Sequence, residues 1–471
     1  MEKFIVGDKA LILGNNKIKS FNEASGIYSY YANKKNILNE YGEYEEDISD
    51  ISIANGISPA YTDSTNESLV ANELYSNVDK IKFDSRIGYY KSLYIGHVVE
   101  GDYRKNASSG GIGTWIFKEL FEKGLIDGVI HVKEDKSDNG KLFTYQISRS
   151  IDEIKDGAKT KYYPVELSEV LKIVKETPGK YAVIGIPSFI YGLRLLAKKD
   201  SLVGEKIKYM IGLVCGHQKS SAFADFMGWQ LGFKPGDITY INFRKKLEGR
   251  KSSDYGIEVH GYIDGKYEEK ISPTSELLGQ DWGQGWFKVF ASDYTDDVFN
   301  ETADMVLGDA WLPEYTNDSG GNNIVIVRNP VIENLIKDAR NENRLKLDAV
   351  DADKIFMSQS AHYRHTHEEL VYRLYKRDKE GVKRPKKRVE AANNLSYTRK
   401  KIQDIREKIS LSSHIYFKEA VEKDDINFFI NKMAPLEKKY RNYYRLERLR
   451  KMNFSKIKRK LINFFTNKRY N

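Results

Sequence analysis

One cysteine in 471 residues sets the first limit. A disulfide needs two thiols and an all-thiolate metal centre about four, so Cys215 completes neither within this chain. No apolar run approaches the roughly 20 residues that span a bilayer. The opening Met1-Glu2-Lys3-Phe4 does not read as a secretory signal, which makes the cytoplasm the expected location. Internal repeats and low-complexity tracts are also missing. What is there is a globular composition, 40% hydrophobic and 30% charged, in a chain long enough for two or three domains.

The formal charge of +9 is unevenly placed. Residues 437–471 hold thirteen Lys and Arg against two Glu, a local +11, which leaves −2 for everything before them. The basic character belongs to the tail, so a nucleic-acid reading would rest on the tail alone.

Residues 1–85 are irregular, with one weak strand-like run at 9–13 and an acidic stretch at 41–50. From about residue 88, short apolar runs alternate with amphipathic ones. Strands are expected over 93–99, 126–132, 181–186, 207–214 and 323–327, and helices over 115–122, 166–176, 189–198, 222–231 and from Pro330. A hairpin is expected over 257–271, turning at Asp264-Gly265. That alternation predicts an α/β fold, a mixed sheet flanked by helices. Beyond about residue 335 strand formers are few, and 368–376, 388–409 and 435–451 carry helical spacing, predicting a separate α-helical C-terminal region. The expected divisions are 1–85, 86–335 and 336–471.

The stretch Ala107-Ser108-Ser109-Gly110-Gly111-Ile112-Gly113-Thr114 joins a strand-like run to an amphipathic one. Small hydroxyl residues and glycines at a helix N-terminus suit a phosphate, because backbone N–H groups approach it closely and the helix dipole favours the anion. A tight turn with a helix cap would use the same residues.

Ser108-Ser109-Gly110-Gly111 with Thr114, followed by Gly124-Leu125-Ile126-Asp127-Gly128, resembles the flavin loop of one family, the beta subunits of coenzyme F420 hydrogenase and dehydrogenase. Gly157 with Thr160-Lys161-Tyr162 is similar to that family's Gly-Ser-Lys-Tyr element. Gly185-Ile186-Pro187-Ser188 with Gly192-Leu193-Arg194 resembles its Gly-Thr-Pro-Cys box. Cys215-Gly216-His217, Phe243-Arg244-Lys245-Lys246 and Ala303-Asp304 with Gly308-Asp309-Ala310-Trp311 complete a series that runs in order over roughly residues 5–335. The resemblance implies a flavin enzyme of the kind that usually also carries iron–sulfur clusters.

The departures from it bear on the chemistry. Where the family has cysteines, this chain has Ser188, Cys215, Ser292 and Thr295, and Ala10 to Gly14 replaces a ferredoxin-like Cys-x-x-Cys-Gly. Hydroxyl side chains are poor ligands for a soft, thiophilic iron site, so FAD without an iron–sulfur cluster is the expected cofactor state. By resemblance, Ser108, Ser109, Gly110, Gly111 and Thr114 would hold the FAD pyrophosphate. Lys161 would be a cation near the phosphates or flavin, or else a solvated lysine. Gly185, Pro187 and Ser188 would form a turn beside the flavin ring. Arg244 would clamp an acidic substrate group or end a basic surface strand, and Asp309 would orient a hydroxyl or cap a turn. Cys215 is either a small buried hydrophobe or, beside His217, a nucleophile. His362, His365 and His367 invite a metal reading, but His365 and His367 would face apart on a helix, so no metal is expected.

In the tail, Phe454, Ile457, Leu461, Ile462 and Phe465 fall on one helical face, with Lys456, Lys458, Arg459 and Lys460 on the others. Such a helix suits an anionic membrane surface, through residues 452–465, ahead of packing on its own protein or binding nucleic acid. The ending Gly308 to Tyr315 with a helical extension is similar to that of proteins encoded with bacterial surface-polysaccharide enzymes. The resemblance thus implies an FAD-dependent oxidoreductase acting on a sugar or lipid-linked sugar, peripheral at the inner face of the cell membrane, with polysaccharide-biosynthesis enzymes as possible partners. The alternatives are a redox-inactive scaffold for a polysaccharide transferase and a non-redox transferase using a nucleotide-sugar.

Overall fold

Apolar strands that alternate with amphipathic helices assemble into one eight-stranded mixed sheet. The computed structural model describes the backbone of residues 2–6, 9–13, 20–137 and 139–467, and the side chains of residues 20–137 and 139–452. In chain order come β1 (Ser92–Val98), α1 (Ile112–Glu122), β2 (Gly128–Glu134), β3 (Phe143–Ser148), α2 (Ser168–Glu176), β4 (Tyr181–Gly185), α3 (Pro187–Lys199), β5 (Ile207–Leu213) and α4 (Ala222–Gln230). A three-stranded antiparallel sheet follows, β6 (Ile238–Lys245), β7 (Gly256–Ile263) and β8 (Lys266–Pro273). The chain then returns to the large sheet with β9 (Met305–Asp309), β10 (Asn323–Val327), α5 (Pro330–Asn341) and β11 (Leu345–Ala349).

The order across the large sheet is β11-β1-β10-β9-β5-β4-β2-β3. β2, β4, β5 and β9 are parallel neighbours in that series, while β10 runs antiparallel to both β9 and β1. Two reversals leave β1 pointing the same way as the parallel block, so five strands end on one edge. Alternation along β4 shows the two faces: Ala182 joins a core with Trp115, Ile116 and Leu120 of α1 and Ile332 and Ile336 of α5, and Val183 joins one with Leu171 of α2 and Ile190 and Leu193 of α3. The sheet thus takes β11 from beyond residue 335.

The C-terminal helices are α6 (Leu370–Lys379), α7 (Tyr397–Glu422) and α8 (Ile426–Asn467). Ile402, Ile409 and Phe417 of α7 and Phe429 and Met433 of α8 share an apolar core with Phe226 of α4 and Phe243 of β6. Helical spacing predicts a helix from Arg388, yet residues 382–396 are non-helical and α7 starts at Tyr397, where the Ser396 hydroxyl accepts from Arg399 N at 3.3 Å. The delay has an electrostatic cause. Arg388 is drawn onto the body, its backbone N–H on Asp296 at 2.8 Å and its guanidinium on Glu301 and on Ser68 at 2.7 Å. The side chains of Phe454, Ile457, Leu461, Ile462 and Phe465 lie outside the described residues, although α8 continues through them.

Arg328 closes the body from inside. Its fully buried guanidinium donates to five carbonyls, those of Ile87, Tyr89, Phe299, Asn300 and Ala303, at 2.8–3.2 Å. Five N–H donors in a rigid fork make arginine suited to stitching two loops together in this way.

Candidate active site

The parallel strands end at a cavity of about 610 Å³, bounded by Gly185 after β4, Val214 and Cys215 after β5, and Gly308 and Asp309 at the end of β9. Ligands bind at this edge of open α/β sheets because the loops diverge there and helix N-termini face inward. One wall is the stretch 107–114. Gly111 caps α1 with φ +86°, and a Cβ there would lie 2.8 Å from the Arg104 nitrogen and the Tyr103 carbonyl, so glycine is required. At Gly113 a Cβ would meet only Leu307 Cδ1, at 3.4 Å, so a side chain fits.

The loop is held from three sides. Ser109 donates to the Asn322 carbonyl at 2.9 Å, and Ser108 accepts from the Thr160 N–H at 2.8 Å. Lys246 donates to the Ser109 carbonyl at 2.9 Å and to that of Arg104. Burial and the neighbouring Arg104 lower the Lys246 ammonium to about 8. The Ser109 hydroxyl is thus used to shape the loop, while Ser108 acts there as an acceptor and keeps its O–H donor.

Ser108, Ser109, Gly111, Thr114, Lys161, Gly185, Arg244, Asp309 and Cys215 all line this one cavity. Gly110 does not. A Cβ on it would stand 2.6 Å from the Gly96 carbonyl oxygen and 2.7 Å from Asn323 Oδ1, so Gly110 serves the close approach of the loop to β1 and β10. Pro187 and Ser188 open α3 and line a separate cavity of about 30 Å³, along with Glu23 and Thr295.

Lys161 donates to the carbonyls of Gly157, Ala158 and Lys159 at 2.5–3.0 Å, and burial lowers its ammonium to about 7. It folds the 157–161 turn into a tight loop in the cavity wall. His131 packs against Gly157, where a Cβ would be 2.0 Å from the ring, and its Nε2 pairs with the Ser148 hydroxyl at 2.8 Å. Burial, with Lys161 near, pushes the His131 imidazole down to about 3.

Arg244 is 3% exposed and pairs with Asp309 through both nitrogens, at 2.5 and 3.3 Å, beneath the ring of Tyr255. The two terminal guanidinium nitrogens are met by the two carboxylate oxygens, while the Arg244 Nε is buried without a partner. Gln359, from beyond β11, donates to the Asp309 carbonyl at 2.6 Å and pairs with His362 at 3.1 Å. Burial raises the Cys215 thiol to about 12, which keeps it a thiol.

The positions where the resemblance expects cysteine gather near Glu23. Ser292 donates to the Glu23 carboxylate at 2.5 Å and accepts from Gln218 N at 3.0 Å, and the Glu23 charge acts on Cys215. The three histidines separate: His362 lines the main cavity, His365 is buried against Asp293 at 3.2 Å, and His367 stacks on Tyr363 with ring centres 3.9 Å apart. Among the described residues no group of three or more His, Cys, Asp and Glu is arranged to hold a metal ion.

Sequence reasoning passed over Trp282, Lys219 and Gln359 and gave Tyr162 no role, although all four line the cavity. Trp282 packs at 4.6 Å from Tyr162 and 4.7 Å from His217. Its Gly-rich surroundings, residues 279–285, are a signal for a constrained loop. Gln359 had none, because it reaches the cavity from a segment beyond β11 that carries no motif.

Two family models match the chain, both of the beta subunit of coenzyme F420 hydrogenase/dehydrogenase: that of its N-terminal part over residues 93–172 and that of its C-terminal part over residues 179–353. The coenzyme F420-dependent sulfite reductase of Methanocaldococcus jannaschii is 31% identical over 160 residues, 30% of this chain and 24% of that protein. A subunit of the F(420)H(2) dehydrogenase of Methanosarcina mazei is 29% identical over 114 residues, 24% of this chain and 31% of that one. The chain therefore spans about a quarter to a third of the length of these relatives. A chain of the xenon-derivatized F420-reducing [NiFe] hydrogenase complex from Methanosarcina barkeri superposes on 67% of this chain and 100% of its own, with 15% identity and a TM-score of 0.47. With the two models together matching more than half of its residues, the chain belongs to the family of coenzyme F420 hydrogenase/dehydrogenase beta subunits.

Proposed function

We propose that this protein is an FAD-dependent oxidoreductase that works without an iron–sulfur cluster, on a sugar or lipid-linked sugar of surface-polysaccharide synthesis. The observation that carries the reading is the 610 Å³ cavity at the strand ends, with a glycine-capped helix N-terminus in its wall, in a chain of this family. The volume suits a cofactor-sized ligand. The backbone of residues 111–114 would receive the pyrophosphate, and a bound flavin would supply hydride chemistry. The chain's own part is positional. The Arg244–Asp309 pair stiffens the wall, and Tyr162, Trp282 and Trp311 present aromatic surface that excludes water and packs against a sugar face.

Loss of the cluster is supported by Ser188, Ser292 and Thr295, which offer hydroxyls where thiolates are needed, and by Glu23, whose carboxylate occupies Ser292. A resting place on an anionic membrane is supported by half-exposed Leu446, Leu449 and Met452 on α8, interleaved with Arg445, Arg448 and Lys451. No described helix is long and apolar enough to cross a membrane.

The test is titration of the purified chain with FAD, followed by flavin fluorescence. Gly113→Asp places a carboxylate in the cavity at a position that tolerates a side chain, and should weaken FAD at least tenfold while far-UV circular dichroism stays unchanged. Wild-type protein that ignores FAD but binds a nucleotide-sugar would overturn the reading in favour of a transferase.

A further inference from the structure

A flavin on the 107–114 loop does not explain another wall of the same cavity. Lys219 is 3% exposed, and its ammonium donates to the Trp286 carbonyl at 2.5 Å and lies over the rings of Trp282 and Phe223, at 4.6 and 4.9 Å. The charged groups acting on it are Lys288, from the loop after Trp286, Arg406, from α7, and Asp281. Two cations face it against one carboxylate, and Lys288 is already taken by Asp293. Arg406 comes no nearer than 3.7 Å to its carboxylate, Glu369, and its Nε is buried without a hydrogen-bond partner.

His217, 9% exposed, and Gln218 line the same cavity, and the Nε2 atom of each is buried without a partner. Buried charge and buried polar atoms are normally matched, so under-neutralised cations and unsatisfied nitrogens at one cavity wall call for an anion that brings acceptor oxygens. Arg406 lies beyond residue 353, outside both family matches, so this wall draws on the helical C-terminal region as well as on the family's own fold.

We propose that Lys219, His217 and Gln218, backed by Arg406, form a subsite for a carboxylate or phosphate oxyanion carried by the substrate, whose flat or apolar body packs on Trp282. This names the substrate class of the cavity, and rests on the preceding reading for the cavity's role. Burial and the neighbouring cations hold the Lys219 ammonium well below its ordinary value, and an anion bound beside it would offset that shift. His217 is held down in the same way, by burial and then by Lys219, Lys288, Arg406 and His365.

The experiment is calorimetric titration of the full chain with benzoate and, separately, phenyl phosphate, with benzyl alcohol as the uncharged control. Each is run with and without saturating FAD. Saturable binding of either anion, lost in Lys219→Met and partly retained in Lys219→Arg, is the expected result. Lys219→Met should weaken the anion at least tenfold and Arg406→Met severalfold, with FAD affinity unchanged. Whichever anion binds identifies the oxyanion. Equal binding of benzyl alcohol, no binding of either anion, or the same affinity in Lys219→Met would overturn the subsite. Anion binding in a protein that ignores FAD would instead remove the flavin reading and leave the subsite standing.

Discussion

Arg244 and Asp309 pair inside the wall, the guanidinium 3% exposed and the carboxylate 20%. Removing one side strands a buried charge, which costs about 3–5 kcal/mol, whereas removing both is far milder. Asp309→Leu, which strands the buried Arg244, is therefore expected to lower the urea midpoint sharply, and Arg244→Met with Asp309→Leu to recover most of it; equal losses would show that the pair is solvated. The pH behaviour follows from His131. Its imidazole has a folded value of about 3 against an ordinary 6.5, so the folded state excludes a proton that the unfolded chain takes up. The contribution to stability is complete above pH 6.5 and falls away as pH drops toward 3. At pH 5 the loss from this residue is about 2 kcal/mol. Urea melts of wild type and His131→Gln should converge as pH is lowered from 7 to 5, the variant showing the shallower dependence. The residue scale is also where the sequence was least legible. Gly110 and Gly111 are neighbours in one motif, but only Gly111 faces the cavity; which glycine serves packing depends on β1 and β10, and no local pattern carries that.

Elements were more legible than residues. Short apolar runs located β1, β4, β5 and β10, because strands buried on both faces are almost continuously apolar. β3 and β11 escaped notice, since edge strands such as Phe143–Ser148 and Leu345–Ala349 mix polar residues into the run. The segment 388–396 misleads for another reason: its helical spacing is overridden by Arg388, whose charge is met by Asp296 and Glu301 on the body. That anchor fastens the link between α6 and α7. Arg388→Met should make residues 382–396 the first site of trypsin cleavage and lower stability by about 3 kcal/mol, given the acids it leaves unpaired. An unchanged digestion pattern would mean that the neighbouring Lys387 holds the link alone.

At the scale of the whole molecule, the C-terminal region is both wall and extension. α7 backs the cavity through Arg406, while α8 carries the basic, half-exposed face onward into the tail. Attraction of a basic helix to anionic lipid is screened by salt, and apolar insertion is not. The full chain should therefore sediment with vesicles containing phosphatidylserine at low ionic strength, less so at 0.5 M salt (roughly a 4 Å screening length). It should do so much less with purely zwitterionic vesicles, and a chain ending at Met452 should lose most of the binding. The central claim, a flavin protein of this family that has dispensed with its clusters, is tested most directly by an absorbance spectrum of the purified chain with a parallel iron assay. A flavin spectrum with no stoichiometric iron is the predicted result; a colourless protein that takes up no added FAD, or one that carries iron and sulfide, would contradict it.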